Sequence, residues 1–387
     1  MSAIASAGLY VHLPWCVRKC PYCDFNSHEA RAALDEDAYV EALLCDLELA
    51  LDQAAAPTLA SVFIGGGTPS LFSAAAIARL LEGIAARCRL AHALEVTLEA
   101  NPGTADAGRF HGYAAAGVNR LSLGVQSFDD RRLAALGRIH DGQAALRAIE
   151  LARAAGFENL NLDLMFGLPG EQPGDSLTDL EQALTCAPEH LSWYQLTLEP
   201  GTAFARRPPA LPAHDRICDD YEAGLARLAA ADFEHYEISA HARAGRAARH
   251  NLNYWHFGDY LGIGAGAHGM RRIAGGILRS ERIRHPERYV RAARAGNAVA
   301  HEHLVEGATL ATEYMLNALR VRAGFTLAEF EQRTGLNAAL IEGPLVEARR
   351  RGWLTAAGAR LQPTTLGFRF LNDLQLLFVA APEPAPG

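Results

Sequence analysis

From residue 9 to about residue 199, short apolar runs alternate with longer Ala/Leu-rich stretches of helical period. No other feature restricts the chain as tightly, because strands separated by whole helices pair in parallel, with the helices laid over the sheet. Strands are expected near 9–14, 61–66, 95–100, 120–126, 159–166 and 191–199. Helices are expected near 36–53, 73–88, 104–116, 141–155 and 174–186, with Asp35, Ser73 and Thr104 as opening caps.

Strands buried on both faces usually read as unbroken apolar runs, whereas these alternate. Leu160, Leu162, Leu164 and Phe166 share one face of their strand, and Asn161, Asp163 and Met165 share the other. Leu121, Leu123 and Val125 likewise oppose Ser122, Gly124 and Gln126. The apolar face suits packing against helices, while the polar face must meet something that satisfies it. A barrel with a polar lumen that takes a ligand accounts for both faces, and six strands make it incomplete or open rather than eight-stranded and closed. The class is α/β.

Residues 201–303 read as a barrel extension and connecting region, with a helix near 214–231 and the glycine-rich GIGAGAHG at 262–269. Residues 304–379 read as helices and short strands in a winged-helix-like α+β unit, and 380–387 as a disordered tail. A net charge of -8 argues against broad nucleic-acid binding, so the C-terminal unit is expected to pack against or cover a substrate. Neither an export signal nor a membrane span is expected. Seven cysteines, three of them within eight residues, do not form a disulfide framework, which makes the cytoplasm the expected compartment. The scattered Cys45, Cys88 and Cys186 read as small apolar side chains at helices.

Cys16, Cys20 and Cys23 follow the first strand and precede a long helix. A loop there can wrap three thiolates around an iron–sulfur cubane and leave the fourth iron open. The competing reading is a zinc site completed by His12 or His28, or three unrelated thiols. The spacing CxxxCxxC within LYVHLPWCVRKCPYCDF resembles the radical S-adenosylmethionine superfamily. GGGTPS at 65–70, LEANP at 98–102, GVQS at 124–127, LGRIH at 136–140, NLDLMFGLPG at 161–170 and GIGAGAHG extend the resemblance over nearly the whole chain. They resemble the branch that contains oxygen-independent coproporphyrinogen III dehydrogenases and HemW heme chaperones. The resemblance implies a partial (β/α)6 barrel, a [4Fe–4S] cluster on the three cysteines, and S-adenosylmethionine chelating the open iron.

Glycines 65–67 end the second strand, where missing side chains let backbone groups approach a ligand. By resemblance, Gly66, Gly67 and Thr68 receive the cofactor's amine, and Tyr10 and Tyr22 line the same site. Glu99, Gln126 and Asp163 fall at or near strand ends, where β/α barrels build their sites, and Arg138 follows shortly after the fourth strand. Carboxylates suit an ammonium or ribose hydroxyls, and a guanidinium suits a carboxylate. A buried ion pair or capped strand ends is the plainer alternative. The resemblance assigns all four residues to the cofactor.

Two features separate the branches. Dehydrogenases of this family resemble CxxxCxxCxC, but Phe25 occupies the last cysteine position here. HNLNYW at 250–255 resembles the HNxxYW motif of heme chaperones, with His250 as a heme iron ligand and Tyr254 and Trp255 as flat apolar faces. His235, His241, His256 and His268 are candidates for a second ligand, and Cys218 and Met270 weaker ones. The expected function is a heme carrier that passes heme to an acceptor protein. Its partners would be heme and its donor and acceptor proteins, respiratory hemoproteins among them, with transient contact to a membrane protein. The alternative is oxidative decarboxylation of coproporphyrinogen III to protoporphyrinogen. A regulator acting through the C-terminal unit would instead bind DNA.

Overall fold

The computed structural model describes residues 6–52 and 57–379, so the tail expected at 380–387 lies outside the described residues. Each expected strand of the first half is present: β1 (Ser6–Leu13), β2 (Thr58–Gly66), β3 (Arg89–Ala100), β4 (Arg120–Gln126), β5 (Leu160–Phe166) and β6 (His190–Gln195). They pair in parallel, each with the next. The sixth ends at Gln195 rather than 199, just ahead of a turn at Pro200 and Gly201.

Further along the chain come β7 (Glu234–Glu237), β8 (Ala240–Ala242), β9 (Tyr260–Ile263), β10 (His268–Ile273), β11 (Gly276–Arg282) and β12 (Val299–Val305). β9 lies parallel to β1, so a seventh parallel strand joins the six read from the sequence. The remaining additions are antiparallel. The order is β12-β11-β10-β9-β1-β2-β3-β4-β5-β6-β8-β7, an open sheet of twelve strands.

The alternation places side chains as its period requires. Leu121, Leu123, Val125, Leu160, Leu162, Leu164 and Phe166 enter one buried core with α1 (Glu36–Asp52), α2 (Ala74–Arg87), α3 (Ala107–Ala115) and the helices after them. After α3 come α4 (Asp130–Ala135), α5 (Gly142–Ala154), α6 (Asp175–Thr185) and α7 (His214–Ala230). Ser73 caps α2 by accepting from Ala76 N–H, and Asp35 accepts from Ala38 N–H. Thr104 is not a helix cap. Its hydroxyl donates to the Asn101 carbonyl within a 3-10 turn, and α3 starts later, capped by Asp106.

α8 (Arg249–Trp255) carries the HNxxYW motif, and α9 (Pro286–Arg294) packs on α1. Asp46 of α1 holds Arg282 of β11 at 2.7 Å and accepts from the Tyr289 hydroxyl at 2.8 Å, which ties the added strands to the first helix through a buried ion pair. A second core joins Phe257, Met270 and Ile277 to α10 (Gly307–Ala318), α11 (Leu327–Thr334) and α12 (Glu342–Arg350). Three short antiparallel strands, 325–326, 354–357 and 360–363, complete that unit. Among the described residues no helix is long and apolar enough to cross a membrane.

Candidate cofactor cavity

A cavity of about 440 Å3 opens at the C-terminal ends of the parallel strands, and Cys16, Cys20 and Cys23 all line it. Backbone hydrogen bonds fix their loop. Trp15–Cys16 pairs with His28–Glu29, and Cys23 N–H donates to the Cys20 carbonyl at 3.2 Å. The glycine-rich end of β2 is stitched to the same segment, with Gly67 N–H donating to Leu13 and Thr68 N–H to Trp15. A Cβ on Gly67 would lie 2.5 Å from the Trp15 carbonyl oxygen, so only glycine permits this approach. Gly66 has φ +118°, a conformation that side chains resist.

Neither His12 nor His28, the fourth ligands the zinc alternative calls on, lines this cavity, and His28 Nε2 meets Asn26 Oδ1 at 3.3 Å. His12 is committed on both ring nitrogens, to the Tyr10 hydroxyl at 2.8 Å and the Asn26 carbonyl at 2.9 Å. Among the described residues no three ligating side chains gather closely enough for a single metal ion. Thiols that each take a different iron of a cubane need not converge in that way.

Gly66, Gly67, Thr68 and Tyr22 also line the cavity, and so do Glu99, Gln126, Arg138 and Asp163. Glu99 accepts from Gly66 N–H at 3.0 Å, and its pKa rises to about 7 through burial and, next, through Asp163. Burial also raises the pKa of Asp163, against hydrogen bonds from Ser192, Asn161 and Ser122. Two desolvated carboxyls facing one space call for a cation or for hydroxyl donors. Arg138 donates to the Gly124 carbonyl at 2.7 Å and approaches Cys20 Sγ at 3.7 Å, while its Nε is buried without a partner among the described residues. Gln126 holds φ +70°, strain of the sort that collects at binding sites, and accepts from the Tyr194 hydroxyl at 2.9 Å. Carboxyls, an unsatisfied guanidinium nitrogen, a glycine cradle and three thiols together fit an amino-acid sulfonium beside an iron–sulfur cluster.

Tyr10 is not among the lining residues. Its ring lies beside the stacked pair of Phe63 and His250, with centroids 6.2 and 6.1 Å away. His250 itself sits toward the other end of the lumen. Arg249 N–H and His250 N–H donate to Glu95, four residues before Glu99 on β3 and so about 13 Å along the strand from it. The His250 ring is 3% exposed, stacks on Phe63 at 4.4 Å and meets the edge of Tyr254 at 4.4 Å. Its Nδ1 is buried without a partner among the described residues, and burial lowers its pKa to about 3. Arg320 lies over the Trp255 ring at 4.2 Å.

The candidate second ligands are dispersed. His235 and His241 stack on each other at 4.4 Å, His256 is exposed, and His268 is 3.8 Å from Glu281 on the sheet surface. Cys218 is exposed beside His214, and Met270 is packed in the second core. Ser192 and Tyr194 join the site beyond the expected residues, and the alternation in HLSWYQ puts both on the polar face of β6. Glu95, His190 and Tyr236 carry no sequence signal, because their roles depend on contacts between distant segments.

Residues 10–182 match the radical SAM superfamily, and residues 305–370 match the HemN C-terminal domain. The heme chaperone HemW of Escherichia coli is 46% identical over 98% of this chain and all of its own. The chain belongs to the HemW family. HemW of Haemophilus influenzae is 44% identical over 98% of this chain and 99% of its own, and the mitochondrial radical S-adenosyl methionine domain-containing protein 1 of Bos taurus is 39% identical over 84% and 76%. The fold also matches coproporphyrinogen III oxidase (HemN) of Escherichia coli, a radical SAM enzyme, with a TM-score of 0.81 and 22% identity over 97% of this chain and 90% of that one. The superfamily implies an iron–sulfur cluster and S-adenosylmethionine, and the cavity supplies side chains of the right chemistry for both.

Proposed function

We propose that this protein is a cytoplasmic heme carrier that receives heme from a donor protein and delivers it to an acceptor. In this reading Cys16, Cys20 and Cys23 hold a [4Fe–4S] cluster. Glu99, Gln126, Arg138, Asp163, Tyr22 and the Gly66–Thr68 cradle hold S-adenosylmethionine, with Tyr10 supporting the site from behind through His12. His250 supplies heme iron with a ligand. The observation that carries the reading is whole-length similarity to heme chaperones together with HNLNYW on its own helix and Phe25, 58% exposed, in place of a fourth cysteine.

The cluster and the sulfonium, when bound, supply one-electron reduction chemistry. This chain's own residues orient the ligand's ammonium and carboxylate and keep Glu99 and Asp163 away from bulk water. In the seated conformation His250 is covered by Phe63 and Tyr254, so heme ligation requires α8 to shift. Heme titration of the cluster-loaded protein tests the reading: one heme bound per chain, and much weaker binding in His250→Ala, is the expected result. Unchanged binding in that variant removes His250 from the account.

A second reading is favoured by the completeness of the cavity: an oxygen-independent decarboxylation of coproporphyrinogen III. Anaerobic incubation with that substrate decides, since appearance of protoporphyrinogen would displace the carrier reading.

A further inference from the structure

α8 has no cap of its own. Ala248, the residue before its first turn, has no side-chain hydrogen bond to offer, and the free N–H groups are satisfied from elsewhere. Glu95 of β3 accepts from Arg249 and His250 N–H, and the Tyr236 hydroxyl accepts from Ala248 N–H at 3.3 Å and from the Asn251 side chain. From Tyr236 a chain of buried hydrogen bonds leads back into the cofactor cavity. The Tyr236 hydroxyl meets His190 Nε2 at 2.8 Å, His190 Nδ1 meets Asn161 Oδ1 at 2.6 Å, and Asn161 Nδ2 donates to Asp163 Oδ1 at 2.8 Å.

Its direction is fixed by the end groups. Asn161 Oδ1 can only accept, so His190 carries its proton on Nδ1 and accepts on Nε2, where Tyr236 donates. Every donor therefore points toward Asp163, and each bond polarises the next. The seat at the other end stores tension. His250 Nδ1 and Trp255 Nε1 are buried without partners among the described residues, and Phe257, just past the helix, holds φ +55°. The rest of the helix is anchored by the Arg249 guanidinium on the Ala93 carbonyl, by Asn253 donating to the Asp259 carbonyl at 3.0 Å and by its aromatic contacts, so the bonds to Glu95 and Tyr236 at its first turn are the ones a change in the cavity can reach.

We propose that Asn161, His190 and Tyr236 form a relay through which a ligand at Asp163 holds the motif helix in its seat, making S-adenosylmethionine and heme opposing ligands. A cation or hydroxyl donor on Asp163 keeps it a carboxylate, the strongest acceptor the chain can end on, and the tightened chain clamps Ala248. Without a ligand the desolvated carboxyl favours its proton, the chain slackens, and α8 is freer to expose His250. Tyr236 and His190 are positioning residues here, because neither touches the ligand. The inference rests on the reading of the cavity as the S-adenosylmethionine site.

The test is hydrogen–deuterium exchange across residues 248–256 of the oxidised, cluster-loaded full chain, with and without S-adenosylmethionine, after a binding isotherm has established occupancy. Occupancy is expected to slow exchange about fivefold or more in the wild type, the lower end of usual coupling between sites. The effect is expected to vanish in Tyr236→Phe, which keeps the ring and loses only the relay oxygen. His190→Gln serves if that variant does not fold. Binding without slowed exchange, or equal slowing in the variant, overturns the relay and leaves the cavity reading intact. Failure to bind S-adenosylmethionine overturns both. Heme is absent from the experiment, so an error about His250 as a ligand does not affect it.

Discussion

Glu99→Gln separates the charge of this carboxyl from its shape. Glu99 is enclosed on the protein side, and burial and Asp163 carry its pKa from 4.5 to about 7. A folded value above the unfolded one means that the folded protein holds the proton more tightly. The stability due to Glu99 is therefore complete below about pH 4.5 and is lost as pH rises through about 7. At about 1.36 kcal/mol per pH unit the interval amounts to about 3 kcal/mol, and cavity water reduces the measurable part to about 1–2 kcal/mol. E99Q never ionises and still offers Gly66 an acceptor. Urea denaturation without ligand should give nearly equal stabilities at pH 5 and an advantage of about 1–2 kcal/mol for E99Q at pH 8. The same variant should lose about tenfold or more in affinity for S-adenosylmethionine at pH 8, where the native carboxylate attracts the ammonium. Parallel stability curves for the two proteins between pH 5 and 8 would refute the desolvation argument.

Other substitutions probe separate parts of the account. Cys16→Ser should abolish the cluster's visible absorbance and lower iron content after anaerobic reconstitution; a fully loaded variant would contradict the assignment. Gly67→Ala places a methyl against the Trp15 carbonyl and should cost about 1–3 kcal/mol by denaturation while weakening cofactor binding. Asp46→Ala leaves Arg282 buried and uncompensated, an expected loss of about 3–5 kcal/mol in the same measurement.

The period-2 alternation made the lumen legible. Asn161, Asp163, Ser122 and Gln126 face inward because Leu160, Leu162, Leu121 and Leu123 must face the helices, and no tertiary information is needed for that. The cysteine spacing and the glycine triplet were legible for a similar reason, since close approach to Trp15 leaves a mark on residue type. The seventh strand, Tyr260–Ile263, was less visible, being four residues long and running into the glycine-rich 262–269 segment, which claims its last two residues. Thr104 failed as a cap because α3 starts at Ala107 and Asp106 takes the role by accepting from Arg109 N–H; Thr and Asp are both good caps, so residue type does not resolve which of two near neighbours opens the helix. Tyr10 shows the same limit at longer range, because a ring on the inward face of β1 can meet either a ligand or a plug such as His250, and the plug comes from 240 residues away. The trans caps of α8, Glu95 and Tyr236, leave no sequence signature for that reason.

Central to the account is that the cavity and the motif helix serve heme transfer rather than porphyrinogen turnover. The direct measurement is anaerobic reconstitution of the cluster followed by parallel assays on one preparation, heme titration in one and coproporphyrinogen III with S-adenosylmethionine and a reductant in the other. The account predicts one heme per chain and no protoporphyrinogen. Protoporphyrinogen formation without stoichiometric heme binding would contradict it.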